Sequence, residues 1–86
     1  MPEVSRFFGI IIRMYYDDHP PPHFHAIYGE QEVQVGIDPI VVLNGQLPRL
    51  AISMVIEWAA VHQQELMRNW QRLETDRSVV RIAPLD

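Results

Sequence analysis

Pro20-Pro21-Pro22 is the feature that most restricts this chain. Three consecutive prolines donate no amide hydrogen and hold φ near that of an extended polyproline segment. No helix and no inner strand of a sheet can run through them. They must therefore form a stiff connection, and ionisable residues crowd around it: Asp17, Asp18 and His19 before, His23 and His25 after. A rigid loop that presents titratable groups between two ordered elements is a natural place for binding or chemistry.

The apolar segment before the loop, Phe7–Tyr16, reads as a first strand. Ile10, Ile12 and Met14 face one way, and Ile11, Arg13 and Tyr15 the other. His23–Tyr28 reads as a second strand, with Phe24, Ala26 and Tyr28 on one face and His23, His25 and Ile27 on the opposite one. Gly29-Glu30 suits a two-residue hairpin turn. Gln31–Ile37 then alternates, with Val33, Val35 and Ile37 inward. After the Asp38-Pro39 turn, Ile40–Leu43 is expected as a short fourth strand ended by Asn44-Gly45.

From Pro48 to about Leu73 no Gly or Pro interrupts. At helical spacing, Ala51, Val55, Trp58, Ala59, His62, Leu66, Trp70 and Leu73 form one stripe, which predicts a single long helix with both tryptophans in the core. Glu57 lies on the polar side. Ser78–Ile82 reads as a last strand returning to a sheet edge. The expected fold is α+β: an antiparallel sheet of three to four strands packed on one long C-terminal helix, with a short last strand. The 86 residues are read as one domain, 1–86.

Composition removes several function classes. The absence of cysteine excludes disulfides, zinc ribbons and thiol catalysis. No apolar stretch is long enough to span a membrane, and the Phe7–Ile12 run, broken by Gly9 and stopped by Arg13, does not make a secretory signal. A cytoplasmic protein with no membrane partner is expected. Arg6 and Arg13 face six carboxylates in residues 1–38, while arginines and acids balance in the remainder. An acidic front half opposes broad binding to a phosphate backbone, but not recognition by a few placed arginines.

His23 and His25, two apart on one strand, project their imidazoles from the same face. That spacing serves a general acid beside a general base, or, with Asp17 and Asp18 nearby, a zinc, nickel or iron ion. It also suits strand histidines that only satisfy loop carbonyls. His19, His23 and His25 are the candidate catalytic groups. Arg6 and Arg13 are candidate anion contacts, Asp17 and Asp18 candidate polar partners, and Tyr28 (with Tyr15 and Tyr16) a candidate hydroxyl. His62, set in the apolar stripe, needs a hydrogen-bond partner if buried. Either it bonds a backbone carbonyl or it joins the loop histidines as the opposite wall of one pocket. No cofactor and no committed metal set is expected.

Several stretches together carry a resemblance: Pro2–Gly9, Ile12-Arg13-Met14-Tyr15, Asp18-His19 with the prolines and His23-Phe24-His25-Ala26, Tyr28-Gly29-Glu30, Leu47-Pro48-Arg49 and Glu57-Trp58-Ala59. With these, the chain resembles the small bacterial domain-of-unknown-function family four-one-six-zero. The third proline before His23 departs from the expected pattern of a variable residue and two prolines. Members of this family are often encoded beside a small protein of the uncharacterised family two-four-four-two, which looks like a toxin–antitoxin pair. The resemblance therefore implies a toxin that inhibits translation by engaging RNA or the ribosome, with a cognate small antitoxin-like protein as partner. The residues leave two alternatives open: a non-enzymatic protein-interaction module, self-associating as a homo-oligomer or binding another chain, and a small His-based metal-binding protein.

Overall fold

The computed structural model describes residues 2–86 and shows an antiparallel five-stranded meander under two helices. The strands are β1 (Glu3–Phe7), β2 (Ile10–Arg13), β3 (His23–Tyr28), β4 (Gln31–Gly36) and β5 (Val42–Gly45), paired in sequence order. The helices are α1 (Arg49–Val61) and α2 (Gln63–Thr75). The α+β class holds, but the sheet has five strands rather than three to four, and there is not one long helix.

The extra strand comes from the N-terminus. The segment read as one strand from Phe7 to Tyr16 instead contains a hairpin turn: Phe7 ends β1, opposite Ile10, and only Ile10–Arg13 forms β2. Phe8 and Gly9 make the turn with φ of 49° and 80°, the positive values that a two-residue hairpin of this twist requires. Glycine takes that conformation freely, whereas phenylalanine is unusual there. Phe8 therefore reads as a strand residue in the sequence, although in the fold it is exposed at a turn.

Strand alternation sorts the two faces as the pattern predicts. Phe7, Ile10, Ile12, Phe24, Ala26, Val33 and Val35 are buried, and the registers Phe7↔Ile10, Ile12↔Ala26↔Val33 and Phe24↔Val35 line them up on the side that meets the helices. Trp58 anchors this layer from α1. It is fully buried, with Phe7 and Phe24 at ring-centroid distances of 5.4 and 5.8 Å. Its indole N–H donates to the Ala83 carbonyl at 2.8 Å, which satisfies the one polar atom of a buried tryptophan.

The helix breaks at His62, where φ is −111° and ψ 23°. No Gly or Pro marks the spot, so the continuous apolar stripe concealed it. The strand expected at Ile40–Leu43 lies instead at Val42–Gly45, as β5, because Gly36 N–H already bonds the Val41 carbonyl in the connecting turn. Gly45, at φ 79°, passes so close to the Glu32 carbonyl that a Cβ would collide with it.

Ser78–Ile82 is not a strand. It runs extended beside β1 with one backbone bond, Ile82 N–H to the Val4 carbonyl at 2.9 Å. Asn69, fully buried on α2, holds it instead: its amide donates to the Val80 carbonyl at 2.9 Å, and its oxygen accepts Val80 N–H at 2.8 Å. A side-chain amide thus replaces a neighbouring strand. Among the described residues no helix is long and apolar enough to cross a membrane.

Candidate functional site

The histidines project from β3 on the face opposite Phe24 and Ala26, where Trp70 of α2 also reaches. Arg13, His25, Gln34 and Asn44 stand side by side across β2, β3, β4 and β5 in register. After β2 the chain leaves through Met14–Tyr16 and turns at Asp17, whose φ of 63° lies in the left-handed region that aspartate tolerates. The loop then folds over the beginning of β3, bringing Asp18 back onto the two imidazoles.

His23 and His25 are almost fully covered, at 4% and 7% exposure. Asp18 Oδ2 lies 2.8 Å from His25 Nε2 and 3.0 Å from His23 Nε2. The far nitrogens are also engaged. His23 Nδ1 faces the Pro21 carbonyl at 2.8 Å, and His25 Nδ1 faces Glu32 Oε2 at 2.7 Å. A carbonyl only accepts, so His23 Nδ1 carries the hydrogen and donates. In the neutral ring this leaves the Nε2 of His23 with a bare lone pair.

That nitrogen is buried and has no hydrogen-bond partner. It is 3.0 Å from the Asp18 carboxylate, within ion-pair distance, but not aligned for a hydrogen bond. The His25 ring is placed between two carboxylates, so each of its nitrogens needs a proton or a cation. Burial works to raise the Asp18 carboxyl, but the hydrogen bonds from the His25 ring and His19 N–H, with the charge of both imidazoles, outweigh it and hold the group below its ordinary 3.8.

The candidate ligand atoms of Asp18, His23 and His25 all lie within 4.8 Å of one another. A tetrahedral ion with bonds of about 2.0–2.2 Å sets its ligands roughly 3.3–3.6 Å apart, within reach of small rotamer changes. Both imidazoles would bind through Nε2 while Nδ1–H donates outward, one to a backbone carbonyl and one to a carboxylate. Such outer partners fix the tautomer and aim of a metal-binding histidine. Tyr15 packs edge-on against His25 with ring centroids 4.6 Å apart, and Trp70 lies 5.4 Å from His23.

The sequence candidates divide clearly. Asp18, His23 and His25 converge. Asp17 sits beside them, exposed, on the wall of a cleft. Arg13 lies on the same face directly across from His25, half-buried, its Nε without an acceptor. His19 is exposed, and only its backbone N–H enters the cluster, bonding Asp18 Oδ1 at 2.9 Å. Arg6 is elsewhere, paired with Glu3 at 2.7 Å. Tyr28 stands at the opposite end of β3, where a Cβ on Gly9 would meet its ring at 3.2 Å. His62 does not face the loop: its ring pairs with Glu65 at 2.6 Å and packs against Trp58.

Glu32 escaped the sequence reading. The hairpin register was the available signal: a two-residue turn at Gly29-Glu30 sets Glu32 opposite Ile27 and diagonal to His25.

Residues 9–71 match the family model described as Domain of unknown function (DUF4160). No curated protein and no solved structure matches the chain.

Proposed function

This chain belongs to the DUF4160 family, and we propose that it is a small metal-binding protein. Asp18, His23 Nε2 and His25 Nε2 are the ligands of one divalent transition metal, with zinc the best fit to imidazole and carboxylate donors. The observation that carries this reading is the buried, unpartnered Nε2 of His23, 3.0 Å from a carboxylate oxygen and within 4.8 Å of a second imidazole nitrogen. An unsatisfied buried acceptor is costly, and a cation there satisfies all three groups together. Three protein ligands leave a coordination position for water or a bound molecule, as in catalytic rather than closed structural sites.

Metal analysis of protein purified without chelator, followed by calorimetric titration with zinc and nickel, tests the assignment. The expected result is one ion per chain, lost in His23→Ala and Asp18→Ala and kept in His62→Ala. Protein that is metal-free and gives neither heat nor a change in melting with either ion overturns it.

The second reading is the translation-inhibiting toxin with a cognate small partner. Arg13 favours it: an arginine beside His25 with an unpartnered Nε suits an anionic group of RNA. The carboxylates around the site oppose it. Inducing wild type and a His23→Ala/His25→Ala variant in bacteria decides the matter, since equal growth and protein synthesis with wild type would remove this reading.

A further inference from the structure

Beside the Asp18–His23–His25 centre lies a cleft of about 300 Å³ between the Tyr15–Asp18 segment and the end of α2, at the small end of the range for ligand pockets. We infer that this cleft binds a small organic cation, an amine or guanidine carried on an apolar body.

Its walls specify that chemistry. Tyr15, Tyr16 and Trp70 supply aromatic surface, and Leu73 an aliphatic patch. Asp17 and Glu74 add carboxylates on opposite sides, one from the loop and one from α2, with Asp18 at the inner end. Among the described residues that line the cleft none is cationic, and the nearest cation is Arg77, stacked on Tyr16. Aromatic faces attract ammonium and guanidinium groups through the ring quadrupole, and flanking carboxylates reinforce that attraction while repelling anions.

Two observations independent of the acidic residues point the same way. The guanidinium of Arg77, from the turn after α2, lies 4.5 Å above the Tyr16 ring, so one wall of the cleft already accepts a group of this kind. The cleft also meets the histidine centre: Asp18 lines it, and two of its rings, Tyr15 and Trp70, pack on His25 and His23.

The inference goes beyond the metal reading and shares only Asp18 with it, so the two fail separately. The test uses phenylethylamine as the probe, with 2-phenylethanol and 3-phenylpropionate as its neutral and anionic counterparts. Each is titrated by calorimetry and by amide chemical shifts into zinc-free and zinc-loaded protein. The amine is expected to bind about tenfold tighter than either counterpart, a difference that calorimetry resolves. Shifts are expected in Tyr15–Asp18 and Trp70–Glu74. Asp17→Asn/Glu74→Gln, in which asparagine preserves the tolerance for positive φ, should weaken the amine about tenfold while zinc still binds at one ion per chain.

Equal affinity for all three probes would mean a merely apolar cleft and overturn the inference. Preference for the carboxylate would mean that the metal, not the wall, selects the ligand, and would overturn it too. So would the absence of amine binding at about 1 mM, or shifts confined to another surface. Amine selectivity without zinc binding would remove the metal reading and leave this one standing.

Discussion

Three of the four ring nitrogens of His23 and His25 are paired with an oxygen and the His23 Nε2 is not, and that pattern sets what each ring can do. His23 is fixed as an Nδ1 donor by a backbone carbonyl that cannot be mutated away. His25 depends on a side chain, Glu32, which is half exposed at 49% while accepting a bond of 2.7 Å. The carboxylate orients the ring and makes its Nε2 a stronger donor to a metal. Removing such an outer partner commonly costs 10–100-fold in metal affinity. Glu32→Ala should therefore weaken zinc binding by about tenfold or more, with all three ligands intact and stoichiometry unchanged, as read by competition against a chromophoric chelator. Unaltered affinity would mean that the Glu32 contact is an ordinary surface ion pair. The histidines and Asp18 were legible because they cluster in the sequence, whereas Glu32 and Trp70 reach the site only through register and helix packing. His62 was read as part of one continuous helical stripe, but it sits at the break between the two helices and pairs with Glu65, since wheel geometry fixes neither a break nor a hydrogen-bond partner.

At the scale of elements, the sheet was legible wherever alternation and turn chemistry agreed. β3, its Gly29-Glu30 turn and β4 follow from the pattern almost residue by residue. The first hairpin was missed because its turn uses Phe8 in a conformation that the residue type argues against. The C-terminal segment is the reverse case: its composition suits a strand, but its partner is a side chain. Asn69 gives Val80 both bonds of a strand neighbour, and Arg72 Nη1 donates to the same Asn69 oxygen at 2.8 Å. Nothing in a hydrophobic stripe reveals a fully buried asparagine with that duty. Asn69→Leu keeps the branched shape and the number of side-chain heavy atoms and removes both partners of Val80. A polar group left unpaired costs about 1–3 kcal/mol when buried; Val80 is itself half exposed, so the variant should lose roughly 1–2 kcal/mol in urea unfolding. Amide exchange at Val80 and Ile82 should quicken well before that of β3. Stability within about 0.5 kcal/mol of wild type would show that water replaces the asparagine without loss.

For the whole molecule, the centre lies where three parts meet: the β3 strand, the loop that closes over it and, through Trp70, the second helix. An ion held there would tie the loop to the core rather than decorate the surface. The span from Asp18 to His23 is too short for much loop-closure entropy to be involved, so the gain should come from ligation itself. A ligand that binds only the folded chain stabilises it by about 2.7 kcal/mol at a hundred times its dissociation constant. In a domain of this size 1 kcal/mol moves the melting temperature by about 4–8 °C. Zinc at that excess should therefore raise Tm by about 10–20 °C, and the rise should vanish in His23→Ala/His25→Ala. Because Asn69 and the C-terminal segment lie outside the ligand set, Asn69→Leu should melt lower than wild type yet gain a similar increment from zinc. A gain that disappears in Asn69→Leu, or that survives loss of both histidines, would mean that the ion acts somewhere other than Asp18, His23 and His25.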